Sequence, residues 1–428
     1  MKKIIKKIFS LTNVKTEEGA RKKLCILGLE FLFKKPITPW EKVKYVNHLL
    51  LSQFDNSNFV EITNEPYKNT SDSAKLIAFY LPQFHSFPEN DKWHGRGFNE
   101  WTNVTKSIPL YKGHHQPQLP IDVGFYDLST DKVMYRQIEL AKMYGIYGFC
   151  FHYYWFSGKR LMEKPIFNFL NNKELNFPFC LCFANENWSK NWDGGNKEIL
   201  IEQKFLDSDP LKFAQDILPF FKDERYIKIA NKPVLIIYKP QLIKKEVLKN
   251  FVKELHNKAK ENNFDGVYLI MAKTQIQETQ PKEYCMDAVV EFPPFGIAEK
   301  VKPKKVKGAI SRHFDFKLFN LENYILDKDF ITNTDYKLFK TVFPGWDNCA
   351  RKACNEANIF ETEPQLYKKW LKSCIEWTKN NNNSNEQFVF INAWNEWAEG
   401  AHLEPDRKYG YAYLQATKEA LEESQLKM

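Results

Sequence analysis

From residue 75 onward, the apolar positions of this chain form short continuous runs that alternate with stretches of helical spacing. A short apolar run rich in β-branched and aromatic residues is typical of a strand buried on both faces. In one intervening stretch, Leu248, Phe251, Val252, Leu255 and Ala259 recur every three or four positions, as on one face of a helix. The runs predict eight strands, at residues 76–80, 146–152, 179–184, 234–238, 267–272, 288–292, 341–343 and 388–391.

Eight strands that alternate with helices are the pattern of a (β/α)8 barrel of the TIM type. A doubly wound open sheet is the alternative, and it is less favoured because no glycine-rich phosphate loop follows the first strand. We predict the barrel at residues 71–420. Residues 1–70 are predicted to form a basic N-terminal extension, and residues 421–428 a C-terminal tail.

Polar and aromatic residues lie at or just after the ends of the predicted strands. In (β/α)8 enzymes the loops that follow the strands build the active site, so we expect these side chains to converge. The candidate substrate-binding residues are His152, Tyr153, Asn185, Glu186, Asn187, Trp188, Tyr238, Glu291, Trp346, Asn395 and Trp397.

The loop after the eighth predicted strand carries two carboxyls, Glu396 and Glu399, with tryptophans beside them. Together they supply a proton donor, a base and flat apolar faces for a sugar ring. Neighbouring indole rings would desolvate the carboxyls and raise the pKa of the acid toward neutrality. The competing interpretations are that they are solvated loop acids or that they are partners for Arg407 and Lys408. We predict Glu396 and Glu399 as catalytic residues.

The chain offers little that resembles a metal site. Asp207, Ser208 and Asp209 match the DxD pattern of nucleotide-sugar glycosyltransferases, but the following Pro210 suits the first turn of a helix. We therefore predict that Asp209 caps a helix that continues to Phe221. The sequence has no histidine pair at helical spacing and no cysteine cluster. We predict neither a metal nor another cofactor.

The net charge of +9 is concentrated near the start of the chain, because residues 1–48 hold 12 Lys or Arg against 4 Asp or Glu. A basic surface spread over the main domain is therefore absent, and no nucleic-acid partner is expected. Residues 1–11 would place apolar side chains on one side of a short helix and lysines on the other, which predicts peripheral contact with an anionic membrane. The apolar segment 24–33 is too short to span a membrane and is predicted to be a buried strand or helix.

The eight cysteines lie mostly inside apolar runs, as expected of small buried side chains in a reducing compartment. The cysteine pattern predicts a cytoplasmic protein, and the membrane contact of residues 1–11 would place it at the inner membrane face. A basic segment at residues 300–312 follows the sixth predicted strand. Such a run is usually only solvated. With a nucleotide sugar or a polyprenyl diphosphate-linked glycan as substrate, its lysines would bind the phosphates.

Four separated motifs resemble those of the WbsX-like proteins, a bacterial group found with O-antigen and capsule biosynthesis genes and similar to glycoside hydrolase family 99. They read FYLPQFH at 79–85, YGFCFHYYWFSGKRLMEKP at 147–165, CFANENWSKNWDG at 182–194 and NAWNEWAEGAHLEPD at 392–406. The resemblance covers residues 74–420. It implies a (β/α)8 barrel, a glycan substrate and a role in lipopolysaccharide or capsule assembly.

The resemblance also implies roles for the two carboxyls. In family 99 one carboxylate deprotonates the 2-hydroxyl of the sugar, which attacks the anomeric carbon to give a 1,2-anhydro sugar, and the other protonates the leaving oxygen. Carried over to this chain, Glu396 is the base and Glu399 the acid. Ala398 stands where family 99 usually has histidine. Two alternatives stay open, namely a nucleotide-sugar glycosyltransferase that uses Glu396 as base and a non-catalytic glycan-binding protein.

Overall fold

Eight parallel strands close into a barrel. The computed structural model describes residues 58–70, 73–189, 198–274, 280–306, 316–332, 334–352 and 357–425, together with 9–16, 19–26, 29–33, 40, 43–44 and 46–47. The barrel strands are β1 (Lys75–Tyr80), β2 (Ile146–Phe156), β3 (Phe179–Phe183), β4 (Lys232–Ile237), β5 (Tyr268–Lys273), β6 (Ala288–Glu291), β7 (Leu338–Val342) and β8 (Phe388–Ile391).

Each strand pairs with the next one, and β8 pairs with β1, for example Phe390 with Ile77. The predicted (β/α)8 barrel is confirmed, and the doubly wound alternative is wrong because the first and last strands are hydrogen-bonded. All eight predicted strands are present. The largest differences are that β2 continues to Phe156 and that β7 begins at Leu338, before the predicted start at residue 341.

Helices lie between and after the strands. They are α1 (Pro88–His94), α2 (Glu100–Thr105), α3 (Lys132–Met143), α4 (Glu163–Asn171), α5 (Asp209–Phe221), α6 (Lys245–Lys260), α7 (Glu322–Leu326), α8 (Pro364–Asn381) and α9 (Ala412–Gln425). The five apolar positions recognised in α6 are all buried, as the helical spacing predicts. Helix α5 begins at Asp209, one residue before the predicted start at Pro210, so its N-cap is Ser208 and not Asp209.

Three connections at the carboxyl ends of the strands are elaborated. The segment after β1 contains α1 and the short helix α2. After β7, the strands Trp346–Asp347 and Ala357–Glu361 form a small sheet with Phe316–Asn320. After β8, Asn395–Glu396 pairs with Ala401–His402 around a tight turn at Trp397–Glu399. The remaining short strands are Lys159–Leu161, Trp188–Ser189, Ile199–Ile201 and Lys228–Ile229.

Gly400 allows the turn after β8 to close. Its φ of +61° is unfavourable for other residues, and a Cβ there would lie 2.9 Å from the backbone nitrogen of Asp347. A larger residue would therefore push the β8 turn away from the connection that follows β7.

The chain divides into two compact units. The unit that contains the barrel comprises residues 56–108, 116–305 and 316–428, and the other comprises residues 1–55, 109–115 and 306–315. The barrel unit thus begins before the expected boundary at residue 71, because Val60 exchanges backbone hydrogen bonds with Tyr409 and Tyr411. At the other end, α9 continues through the expected boundary at residue 420 to Gln425.

In the smaller unit, Phe9–Thr16, Gly19–Ile26 and Leu29–Phe33 form an antiparallel sheet. The helix predicted over residues 1–11 is wrong for residues 9–11, which belong to the first of these strands, and residues 1–8 lie outside the described residues. The segment 24–33 is largely extended, as expected, but the expected burial is wrong because Leu29 and Phe31 are exposed. No helix among the described residues is long and apolar enough to cross a membrane.

Candidate active site

An open pocket lies at the carboxyl ends of the barrel strands, with an empty volume of about 1020 Å³. Eight of the predicted site residues line it, namely His152, Glu186, Asn187, Trp188, Tyr238, Trp346, Glu396 and Glu399. His152 lies on β2, and the other seven lie in the connections after β3, β4, β7 and β8. The convergence expected from the sequence is therefore present for these residues.

Arg351 binds three carboxyls at this pocket. Its guanidinium donates from Nε to Glu100 Oε1 at 2.7 Å, from Nη1 to Glu399 Oε1 at 2.7 Å and from Nη2 to Glu396 Oε2 at 3.1 Å. Side-chain exposure is 7% for Arg351, 0% for Glu100, 9% for Glu396 and 14% for Glu399. One buried cation therefore connects α2, the connection after β7 and the β8 turn, and it holds both predicted catalytic residues.

Burial dominates the titration of these acids. It raises the pKa of Glu396 to about 8, although Arg351 lowers this pKa and the nearby charge of Glu399 raises it. The pKa of Glu399 is also raised by burial, against the lowering effect of Arg351. Burial lowers the pKa of Arg351, but the attraction to the three carboxyls is the larger effect and holds this pKa well above its usual value. A permanent single positive charge that faces three carboxyls favours retention of a proton on the Glu396–Glu399 pair at neutral pH.

His152 contributes a neutral imidazole to the pocket. Burial, together with the positive charge of Arg351, lowers its pKa to about 4. His152 stacks near Phe79, with ring centroids 5.7 Å apart, and Phe292 lies edge-on at 6.4 Å. At pH 7 it can donate or accept a hydrogen bond without adding charge.

Aromatic and polar groups form the side of the pocket near β3 and β4. Trp188 packs edge-to-face on Tyr154, with centroids 5.3 Å apart. Glu186 forms a salt bridge with Lys239, which follows β4. Asn187 accepts a hydrogen bond from the backbone of Gln203 at 2.7 Å. This side therefore combines an aromatic surface with hydrogen-bonding groups, as sugar recognition requires.

Five predicted binding residues do not line this pocket. The Tyr153 hydroxyl bonds to Asp216 on α5, and Asn185 bonds to the backbone nitrogen and oxygen of Lys239. Glu291 accepts a hydrogen bond from Lys340 at 2.7 Å in a neighbouring pocket. Strand alternation explains why Tyr153 and Glu291 lie outside the pocket. Their neighbours His152, Tyr154 and Phe292 point into it, and successive side chains of a strand point to opposite faces.

The other two residues, Asn395 and Trp397, support the β8 turn from behind. Asn395 accepts a hydrogen bond from the Leu81 nitrogen at 2.7 Å and donates to the Leu81 oxygen at 3.1 Å. The Trp397 indole donates to Glu404 at 2.6 Å and stacks on His402 with centroids 3.7 Å apart. Both side chains thus orient Glu396 and Glu399 from the protein interior.

Glu404 is a buried acceptor for four donors. Trp394, Trp397, Tyr126 and Gln137 bond to its carboxylate at 3.1, 2.6, 2.9 and 2.6 Å. Burial raises the pKa of Glu404 to about 7, while these hydrogen bonds lower it. Glu404 therefore fixes the tryptophans on both sides of Glu396.

Sequence reasoning missed Glu100 and Arg351. A signal for Glu100 existed, because Asn99-Glu100-Trp101 repeats the tripeptide Asn395-Glu396-Trp397. The two tripeptides meet in space, with the rings of Trp101 and Trp397 centred 5.7 Å apart. Arg351 carries no comparable signal, since it is one basic residue in the connection after β7. The partners considered from the sequence were Arg407 and Lys408, and the structure has Arg351 in that role.

Paired buried carboxyls in an aromatic pocket at the carboxyl end of a (β/α)8 barrel are typical of carbohydrate-active enzymes. The model of the family described as "Glycosyltransferase WbsX" matches residues 76–417, and the chain belongs to this family. The resemblance recognised in the four sequence motifs is thereby confirmed.

Two relatives, both described as "Uncharacterized protein WxcX" from strains of Xanthomonas campestris pv. campestris, are 39% and 38% identical over 348 residues. The match covers 81% of this chain and 50% of each relative, so the chain spans about half their length.

Solved structures of similar fold include a GH99 endo-alpha-mannosidase from Bacteroides thetaiotaomicron, at 14% identity and a TM-score of 0.53. The match covers 84% of this chain and 99% of that enzyme. A structure described as "Glycoside hydrolase-like protein" gives 15% identity and a TM-score of 0.51, with 86% and 99% covered. At these identities the likeness shows the fold, a (β/α)8 barrel shared with GH99.

Proposed function

We propose that this chain makes or breaks glycosidic bonds during the assembly of a bacterial surface polysaccharide, O-antigen or capsule, with Glu396 and Glu399 as the reacting carboxyls. The observation that carries the proposal is the pair of buried carboxyls on one guanidinium in an aromatic pocket. Glycosidic chemistry needs one carboxyl that holds a proton and one that does not, and the raised pKa values favour that state near neutral pH.

The proposed roles follow the family resemblance, with Glu396 as base toward the sugar 2-hydroxyl and Glu399 as acid toward the leaving oxygen. In the free protein, burial raises the pKa of both carboxyls, so either of them can hold the shared proton. These roles therefore require the proton to lie on Glu399 once a glycan is bound. Both carboxyls contact the guanidinium of Arg351. Transfer of the proton from one carboxyl to the other therefore leaves the total charge around Arg351 unchanged.

Product analysis tests the activity. The protein is incubated with UDP-, GDP- and lipid-linked sugars, and the products are identified by mass spectrometry. Cleavage or transglycosylation is expected for wild type, and Glu399→Gln is expected to abolish turnover of a natural glycan while the protein remains folded. Full turnover by Glu399→Gln would reject the assignment of this residue.

A leaving-group experiment then separates the two roles. A glycosyl fluoride of the identified sugar needs no protonation of its leaving group, so Glu399→Gln is expected to turn it over. Glu396→Gln is expected to be inactive on the same compound because it lacks the base. The reverse result would exchange the two roles.

A second candidate is a nucleotide-sugar glycosyltransferase in which Glu396 deprotonates the acceptor hydroxyl. The description of the family as a glycosyltransferase favours it. Transfer from UDP- or GDP-sugars in the same incubation would support this candidate. Binding without any product would instead favour a glycan-binding protein.

The proposed setting is the cytoplasmic face of the inner membrane, with a polyprenyl diphosphate-linked glycan as one candidate substrate. The lysines at 300–312 support it only in part. Lys304 pairs with Glu361 at 2.6 Å, and Lys300 donates to the Asp329 carbonyl at 2.8 Å. Lys302 and Lys305 are exposed, and residues 307–312 lie outside the described residues. Replacement of Lys302 and Lys305 by Gln should raise KM for a phosphate-bearing substrate and leave KM for a free oligosaccharide unchanged.

A further inference from the structure

A second pocket adjoins the catalytic pocket and shares Phe292 and Phe295 with it. Its empty volume is about 760 Å³, and it lies outside the barrel wall near the ends of β5 and β6. Strand alternation directs Glu291 into the second pocket alone, whereas the next residue, Phe292, lies between the two pockets and lines both. A ligand longer than one sugar could therefore occupy both pockets across the two phenylalanine rings.

The second pocket contains donors that lack acceptors. The Trp370 indole nitrogen and the Thr332 hydroxyl are buried without a hydrogen-bond partner among the described residues. Trp370 itself is 1% exposed. Lys273, at the end of β5, also lines the pocket, and no described residue pairs with its ammonium group. A buried donor without an acceptor costs free energy, so this arrangement favours a ligand that supplies acceptor oxygens.

The second pocket can bind an anion although it contains two acids, because lysines offset their negative charges. Glu291 is compensated by Lys340, whose fully buried ammonium donates to Glu291 at 2.7 Å. Glu299 is exposed, and Lys300 beside it adds a positive charge. The groups left without a partner among the described residues are thus the partly buried ammonium of Lys273, the buried indole N–H of Trp370 and the buried hydroxyl of Thr332.

We propose that the second pocket binds an anionic group of the glycan, a carboxylate or a phosphate, while the sugar to be processed occupies the catalytic pocket. The inference rests on the proposed function for the identity of the ligand. Lys273 supplies the charge-assisted hydrogen bond, and Trp370 and Thr332 supply neutral ones. Glu291 accepts from sugar hydroxyls beside the anion.

Nuclear magnetic resonance of protein with 15N-labelled tryptophan tests the site directly. The Trp370 indole resonance is assigned with Trp370→Phe, and the full chain is titrated with glucuronate, glucose 1-phosphate and glucose. Glucuronate or glucose 1-phosphate is expected to shift this resonance, and neutral glucose to leave it in place. A response to both anions indicates recognition of charge in general, whereas a response to one identifies the carboxylate or the phosphate as the source.

Lys273→Gln is expected to weaken binding of the anion about tenfold, because it removes the charged donor. Lys253→Gln, which removes an exposed lysine of α6, is the matched control and is expected to bind as wild type does. An absent shift, an equal shift with glucose, or equal weakening by both variants would overturn the proposal. The resonance titration needs no turnover. If the wild-type protein forms no product in the incubations with sugar donors, the proposed function is overturned, while the anion binding measured here still stands.

Discussion

At the scale of single residues, the site depends on how one guanidinium divides its hydrogen bonds among three acids. Arg351 reaches Glu100, Glu396 and Glu399 through three different nitrogens. Only a planar, permanently charged group can make these three bonds in fixed directions. Removal of its charge would leave buried carboxyls without compensation, which is strongly unfavourable.

Arg351→Lys tests this arrangement. Lysine keeps the charge but cannot reach all three acids in the same geometry, so we expect kcat/KM about 100-fold lower. Arg225→Lys is the control, because Arg225 is also buried and bonds to Asp223 and to backbone carbonyls away from the pocket. That control should lower stability and leave the pH profile of kcat/KM unchanged. An Arg351→Lys variant with wild-type kinetics would contradict the positioning role.

The pH dependence of kcat/KM follows from the raised pKa of Glu396. The proposed reaction needs one proton on the carboxyl pair, whichever residue holds it. Since the Glu396 pKa is about 8 in the free protein, activity should fall as the pH rises through about 8 and the pair loses its last proton. A rate profile of wild type from pH 5 to about 10 checks this limb. A profile that stays flat through pH 9 would show that the pair is not required in its singly protonated form.

At the scale of elements, short segments after the strands bring the site together. Helix α2 contributes Glu100, the connection after β7 contributes Arg351, and the β8 turn contributes Glu396 and Glu399. The β8 turn is held from behind by Glu404 and Asn395. Each element is short, and its position depends on contacts with the others more than on its own helix or strand propensity.

Glu100→Gln tests the contribution of α2. The negative charge of Glu100 raises the pKa of both Glu396 and Glu399. The neutral amide should therefore lower both pKa values and move the alkaline limb of the rate profile to lower pH. Glu386→Gln, at a buried acid that bonds to Tyr268 at 2.7 Å, serves as the control and should not move this limb. If the alkaline limb of Glu100→Gln stays where it is in wild type, the charge of Glu100 does not influence the pKa values of Glu396 and Glu399.

Glu404→Gln tests the support of the β8 turn. A glutamine amide has one acceptor oxygen in place of two, so some of the four donors lose their partner. We expect the free energy of unfolding to fall by about 2 kcal/mol, measured by urea denaturation at pH 8, where Glu404 is largely ionised. The control is Glu419→Gln in the partly exposed pair with Lys368, where a change of about 0.5 kcal/mol or less is expected. Equal effects of the two variants would argue against a special role for Glu404.

At the scale of the whole molecule, the chain combines a barrel with a basic N-terminal region. The membrane contact expected of residues 1–11 stays a prediction, since residues 1–8 lie outside the described residues and residues 9–11 are in a strand. The charge of the region remains a reason to expect attraction to anionic lipid.

Vesicle sedimentation of the full chain tests this attraction. Replacement of Lys2, Lys3, Lys6 and Lys7 by Gln should weaken binding to phosphatidylserine vesicles, by about 1 kcal/mol for each lysine near the surface. Four replacements on α6, at Lys245, Lys249, Lys253 and Lys260, remove the same charge and should have little effect. Equal losses in both variants would indicate attraction to net charge alone.

The sequence by itself determined the barrel, because buried strands and amphipathic helices leave periodic patterns that depend on local order along the chain. It also identified eight of the residues around the pocket, including Glu396 and Glu399, because strand ends in such barrels face one side. Only the tertiary structure decided what those carboxyls bind. Glu100 and Arg351 lie 251 positions apart in the sequence, and no local pattern encodes a buried charge contact between such distant segments.

The tertiary structure also decided which side each strand-end residue faces. His152 and Tyr154 reach the pocket while Tyr153 turns toward α5, because alternation sends neighbours to opposite faces and a sequence alone does not reveal which face is inside. In the same way Glu291 lines the second pocket and not the pocket that contains Glu396 and Glu399. The pattern of the chain thus specifies which elements form, whereas the charges and faces that meet depend on how those elements pack.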